Sequence, residues 1–182
     1  IGRSVLGYQN FSHYSCDVGN LKNLRVNLRK FASQNNSLDV LACVVGFARA
    51  KPSAELTSTD WEETLTKNLL YVSVAFQELK ELLDGSSNPR VLTIGSQWSY
   101  KTGCDELVPY TIAKHALMTL TEDFADREPK IKANYYCVPT MDTPQYWEVR
   151  KSFQKIAKEK TIAKFTLGGL AQPEIVAKSL VN

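Results

Sequence analysis

Apolar positions recur along the chain in two periods, one of helices and one of strands. Leu21, Leu24, Leu28 and Phe31 repeat at helical spacing behind Asn20, a residue suited to capping a helix start. Gln34-Asn-Asn-Ser-Leu38 is a turn cluster that ends this helix. Asp39-Val-Leu-Ala-Cys-Val-Val-Gly46 is a continuous apolar run closed by glycine, which predicts a strand buried on both faces of a parallel sheet. After a loop over 48–56, Thr59-Asp-Trp-Glu62 reads as a capping box. Trp61, Leu65, Leu69, Val72, Phe76, Leu79 and Leu83 then form one apolar stripe along a long helix, stopped by Asp84-Gly-Ser-Ser-Asn-Pro89.

Arg90-Val-Leu-Thr-Ile-Gly-Ser96 predicts the next buried strand, with a hydroxyl at its carboxyl end. A long loop over 97–109 holds Trp98, Tyr100 and Cys104, and the helix after it continues through Leu117, Leu120 and Phe124. Lys132-Ala-Asn-Tyr-Tyr-Cys-Val138 predicts another strand, broken by Pro139-Thr-Met-Asp-Thr-Pro144. A basic amphipathic helix over 145–164 follows, then a glycine-containing loop and a last helix with Pro173 at its first position. Near the start, 1–6 reads as the first turns of a helix and Phe11-Ser-His-Tyr-Ser-Cys-Asp17-Val as a short strand ending at Asp17. Strands alternating with helices predict an α/β protein with a parallel sheet and right-handed crossovers, in a single domain over 1–182.

Composition narrows the function classes. A hydrophobic fraction of 43% and a charged fraction of 23% are ordinary for a soluble chain. The net charge of +3 is too small to suggest nucleic acid, and no apolar run is long enough to span a membrane. Cys16, Cys43, Cys104 and Cys137 lack metal-ligand spacing, and three of them fall in apparent strands, so the expectation is free thiols in a reducing cytoplasm. His13 and His115 have no partner cluster, so no metal site is expected.

The candidate chemistry lies in Tyr110-Thr-Ile-Ala-Lys114. A tyrosine and a lysine four apart on a helix share one face. An ammonium about 4 Å from a phenol stabilises the phenolate by up to roughly 4 kcal/mol at an effective dielectric of about 20. That would bring the phenol down by about 3 pKa units, towards working pH. Ser96, at a strand tip where open α/β sheets place their chemistry, makes the pair a candidate carbonyl-reducing or alcohol-oxidising site.

The order of these motifs resembles the short-chain dehydrogenase/reductases over nearly the whole chain. Asp17-Val18 matches the family's aspartate beside the adenine ring, and Trp61 with Asn68 matches the helix carrying its catalytic asparagine. Ser96, Tyr110 and Lys114 match its catalytic serine, tyrosine and lysine. Ile131-Lys-Ala-Asn134 followed by Pro139 and Thr143 matches the strand and loop that meet the nicotinamide, and Leu167-Gly-Gly-Leu-Ala-Gln-Pro-Glu-Ile-Val-Ala177 the segment after the substrate lid.

The resemblance implies a Rossmann-type doubly wound sheet with helices on both faces and hydride transfer with NAD or NADP. It also implies a homo-oligomer, dimer or tetramer. The carried-over catalytic residues are Tyr110 as acid or base, Lys114 as its modulator and ribose ligand, Ser96 on the substrate oxygen and Asn68 holding a water. The carried-over cofactor contacts are Ile1, Asp17, Val18, Gly46, Tyr110, Lys114 and Thr143. The partner is then a small carbonyl or alcohol. Arg150, Lys151, Lys155, Lys158, Lys160 and Lys164 on the lid form either a solvated face or an attractor for an anionic substrate, such as a phosphorylated sugar or polyol, a nucleotide sugar or an acyl carrier.

Bland alternatives accompany these assignments. Asp17 could cap a turn, Trp98, Tyr100, Tyr146 and Trp147 could pack the lid rather than stack on substrate, Cys104 reads as an ordinary loop thiol and His115 as structural. The family's Asn-Asn-Ala-Gly is Cys43-Val-Val-Gly46 here, its Pro-Gly is Pro139-Thr140, and Thr143 comes one residue early. The opening strand and phosphate loop, a segment between about 6 and 10, and the final strand are expected to be left out of this sequence. A catalytically silent binding or scaffold subunit, or one domain of a bifunctional enzyme, remain the alternatives.

Overall fold

The computed structural model of the chain describes residues 12–156 and 169–179. The expected helix over 1–6, Ile1 as a cofactor contact and the lid beyond Ile156 lie outside the described residues. Among the described residues the elements run α1 (Leu21–Ala32), β1 (Val40–Cys43), α2 (Ser58–Leu65), a π turn (Thr66–Leu70), α3 (Tyr71–Asp84), β2 (Arg90–Ile94), α4 (Val108–Arg127), β3 (Lys132–Tyr136), α5 (Pro144–Ile156) and α6 (Pro173–Ser179). The strands form a parallel sheet in the order β1-β2-β3. Val40 pairs with Arg90, and Arg90 with Lys132.

Helix starts follow side-chain chemistry. Asn20 caps α1, its Oδ1 accepting from the Asn23 N–H at 3.0 Å. The capping box of α2 is Thr57 with Asp60, two residues earlier than the expected Thr59/Glu62 pair. Asp60 Oδ2 accepts from the Thr57 N–H at 2.9 Å and also pairs with Lys51 Nζ at 2.6 Å, a second partner that favours this register.

The core lies between the sheet and helices α1, α3 and α4, around Val72, Leu83, Val91 and Leu117. Phe76 of α3 and Phe124 of α4 stack with ring centres 3.8 Å apart. Thr93 of β2 meets Thr121 of α4 hydroxyl to hydroxyl at 2.8 Å. Side chains alternate along β3, so Tyr136 points to the opposite face from Tyr135, where its hydroxyl meets Ser179 of α6. Helices therefore flank the sheet on both faces.

Two strand expectations change. Residues 12–17 form no strand; the polar stretch runs into a turn in which Asp17 C=O accepts from the Asn20 N–H at 2.9 Å. β1 is an edge of the described sheet rather than a strand buried on both faces, with Val40 53% exposed and Cys43 buried. Of the cysteines expected in strands only Cys43 lies in one, and Cys137, just past β3, is exposed. No helix among the described residues is long and apolar enough to cross a membrane.

Candidate active site

Ser96, Tyr110 and Thr143 come together at one cavity of about 130 Å³ beyond the carboxyl ends of the strands. Its walls are Trp98, Leu107, Met141, Tyr146 and Val149, all uncharged. A second apolar cluster, with Trp98 and Tyr146 nearly buried and Phe153 of α5 behind them, builds this wall. Tyr100 is 64% exposed and Trp147 42%, so of the four aromatics flanking the site only Trp98 and Tyr146 face it.

Each polar side chain has a local cause for its position. Ser96 directly follows β2 and Gly95, and its Oγ accepts from the Trp98 N–H at 3.2 Å, which fixes the serine and leaves its proton to donate. Ser96 also hydrogen-bonds the Tyr110 phenol. Lys114 stands one turn along α4, its ammonium 5.9 Å from the Tyr110 ring centre. Nζ donates to Ile94 C=O at 2.8 Å, its one hydrogen-bond acceptor among the described residues, so two of its three N–H bonds remain for a bound group.

Asn68 sits at the centre of the π turn and is completely buried. The apolar stripe predicts one continuous helix here, whereas the chain inserts a wider turn, a feature common at functional sites. Asn68 Oδ1 accepts from the Phe47 N–H at 3.1 Å; Nδ2 donates to Phe47 C=O at 2.7 Å and Thr64 C=O at 2.8 Å. Both amide protons are thus engaged, and only the second lone pair of Oδ1 is left for a water. A Cβ on Gly46 would lie 3.6 Å from both Asn68 Oδ1 and Lys114 Nζ, so Gly46 brings these two together.

The asparagines absent from Cys43-Val-Val-Gly46 have replacements. Tyr71, on the turn after Asn68, donates its hydroxyl to Val45 C=O at 2.9 Å, and Asn68 clasps Phe47 on the other side. Gln145 of α5 adds a third tie, its amide oxygen accepting from the Ala48 N–H at 2.9 Å and its nitrogen donating to Gly46 C=O at 3.3 Å. Neither Tyr71 nor Gln145 is signalled by a motif, since both act across long sequence separations.

Electrostatics differ from the expected acidic phenol. Burial pushes the Tyr110 phenol up to about 12, and the Ser96 hydrogen bond only partly opposes it. Burial pulls the Lys114 ammonium down to about 8. The site is so apolar that desolvation outweighs the attraction between them. Tyr110 is therefore fully protonated near neutral pH, the state of a proton donor. The Cys104 thiol is pushed up to about 11, chiefly by burial and then by Glu106, in keeping with an unreactive loop thiol.

The adenine side is less defined. Asp17 Oδ1 accepts from the Gly19 N–H at 2.8 Å, capping its own turn, while Val18 packs into the core. That turn lies beside the π turn, since a Cβ on Gly19 would stand 2.9 Å from Lys67 Cε. Thr143 caps the start of α5, its Oγ1 accepting from the Tyr146 N–H at 3.2 Å and keeping its proton to donate. His115 Nδ1 lies 3.0 Å from Ser99 C=O, away from the cavity.

The sequence model described as short chain dehydrogenase matches residues 4–153. Dehydrogenase/reductase SDR family member 6 of Rattus norvegicus is 28% identical over 123 residues, covering 65% of this chain and 49% of that protein. The ligand-free aldohexose dehydrogenase of Thermoplasma acidophilum superposes with a TM-score of 0.77 at 22% identity, over 96% of this chain and 71% of that one. A gluconate 5-dehydrogenase of Burkholderia cenocepacia, solved with NADP and tartrate, superposes at 0.73 and 18% identity, over 91% of this chain and 65% of that one. The chain spans between 43% and 67% of the length of the curated relatives it matches.

Proposed function

The chain belongs to the short-chain dehydrogenase family, and on that premise we propose that it is an NAD(P)-dependent oxidoreductase interconverting a carbonyl and a secondary alcohol. The observation that carries this reading is the placement of Ser96 and Tyr110 on one cavity wall, with the Lys114 ammonium 5.9 Å from the Tyr110 ring centre. In the reducing direction Ser96 donates to the substrate oxygen and Tyr110 transfers its phenolic proton to it. Lys114 holds the cation beside the phenol as negative charge develops there. Asn68 keeps the loop through Phe47 in place and shares Gly46 with Lys114.

The residues present fit the nicotinamide and ribose half of the cofactor. Lys114 offers two N–H donors for ribose hydroxyls, and Thr143 offers a hydroxyl proton at the cavity rim. Gly46 supplies a close, side-chain-free approach. Bound there, the reduced cofactor supplies the hydride. Asp17 and Val18 stand at the turn assigned to the adenine, with Asp17 Oδ2 able to accept a second hydrogen bond.

The uncharged lining favours a neutral carbonyl compound with an apolar flank over a phosphorylated sugar or polyol, a nucleotide sugar or an acyl carrier. Arg150 of α5 donates to the hydroxyl of Tyr146, a cavity residue, at 2.8 Å and stacks on Trp147. An anionic substrate would have to draw it from both. A silent scaffold subunit is disfavoured because Tyr71 and Asn68 hold the loop whose asparagines are lost. We place the protein in the cytoplasm, in keeping with its four free cysteines. The family resemblance supports a homo-oligomer.

The test uses cofactor deuterated at the nicotinamide C4 position, as both NADH and NADPH, with cyclohexanone, benzaldehyde, 2,3-butanedione and dihydroxyacetone phosphate as probes. Deuterium on the carbinol carbon of at least one product is expected, with the neutral probes ahead of the phosphate. No label transfer from either cofactor to any probe would refute the reading.

A further inference from the structure

We propose that Tyr135 is a positioning residue for Ser96, tying the tip of β2 to the turn of α4 that carries Lys114. Tyr135 lies on β3 opposite Thr93 and does not line the cavity. Its hydroxyl oxygen accepts from the Ser96 N–H at 3.2 Å and donates to Lys114 C=O at 3.2 Å. It also meets the Ser99 hydroxyl, which can be the donor. A phenol has one proton to give and two lone pairs to receive, so these three bonds use its full capacity. Ser96, Ser99 and Lys114 are all buried, so none of their partners can be replaced by bulk water without cost.

Room for this phenol is made by Gly95. A Cβ there would stand 2.0 Å from Tyr135 Cζ and 2.3 Å from its hydroxyl oxygen. Gly95 cannot swing aside, because its N–H donates to Tyr136 C=O at 2.8 Å and continues the ladder. A glycine immediately before the candidate serine therefore admits a large side chain from the next strand. Through it the serine amide, the loop at Ser99 and the α4 backbone are locked in one arrangement. Misplacing Ser96 by a fraction of an ångström would loosen its hydrogen bonds to Tyr110 and to a bound carbonyl.

Tyr135→Phe keeps the ring in the Gly95 gap and removes only the hydroxyl. Amide hydrogen exchange reads the proposal without a substrate. Ser96 N–H is expected to exchange at least tenfold faster in the variant, while Arg90 and Lys132, held by Asp39 C=O and Pro89 C=O, stay within twofold. Gly95→Ala, which displaces the ring, is expected to give the same pattern.

The kinetic half rests on the oxidoreductase reading. With the best of the four carbonyl probes, kcat is expected to fall about tenfold while KM stays within twofold. On a Ser96→Ala background the same substitution is expected to cost threefold or less, because its route is already cut. Unchanged Ser96 exchange, or a loss above threefold on that background, would overturn the assignment. If the unaltered protein turns over none of the probes, the oxidoreductase reading falls and the exchange result alone decides this one.

Discussion

Lys114→Met should make the protein more stable at neutral pH while removing its activity. Lys114 is only 3% exposed, and burial lowers its pKa from 10.5 to about 8. At about 1.36 kcal/mol per pKa unit, that drop means the buried charge costs about 3.4 kcal/mol. That figure already includes the ammonium's bond to Ile94 C=O; methionine removes the bond and leaves the buried carbonyl unpaired, which costs back about 1–3 kcal/mol. Methionine fills the same space without charge, so a net gain of about 1 kcal/mol is expected at pH 7. For a chain of this size that is about 2–4 °C in Tm.

The sign with pH follows from linkage. The folded pKa lies below the unfolded one, so the penalty is fully present below pH 8. It fades as pH rises from 8 to 10.5, where the folded state no longer carries the charge. The stability gap should therefore close across that window, and reverse above it, because the neutral amine still donates to Ile94 and methionine does not. Thermal and urea unfolding of both proteins from pH 7 to 10.5 measures this. A variant less stable at pH 7, or a gap that does not change with pH, would refute the burial argument. The result expected is a functional residue held against its own stability cost, as active sites commonly show.

Two further outcomes follow from the same geometry. Asn68→Ala should lower stability by about 2–4 kcal/mol in urea unfolding, since it strands Phe47 N–H, Phe47 C=O and Thr64 C=O in the interior; a loss under about 1 kcal/mol would mean the loop is held elsewhere. The pH profile of kcat/KM for the cofactor should fall on the alkaline side with a midpoint near 8, where Lys114 loses its proton. A limb displaced to the range of the Tyr110 phenol would assign the dependence to that group instead.

Much of the site could be read from local pattern. Helical spacing puts Tyr110 and Lys114 on one face, and α4 presents them so. The strand-tip position of Ser96 follows from the apolar run that ends at it, and Asn20 caps α1 as its side chain suggests. What failed has physical reasons. The π turn at Thr66–Leu70 leaves the apolar stripe intact, so periodicity cannot report it. The capping box moved because Lys51, nine residues before Asp60, adds an ion pair. Charge at close range predicts an acidic phenol, whereas the deciding quantity, burial, depends on Trp98, Leu107 and Tyr146 arriving from three separate segments. Tyr71 and Tyr135 are likewise invisible without the sheet that brings them to Val45 and Ser96.

The most direct measurement compares Tyr110→Phe with the unaltered protein, using cofactor titration and steady-state turnover of the same carbonyl probe. The phenol is the proton donor in this account, and positioned acids of this kind contribute about 10²–10⁴-fold. The prediction is a loss of kcat/KM in that range with cofactor Kd within about threefold. Turnover retained at near its original rate would contradict the account.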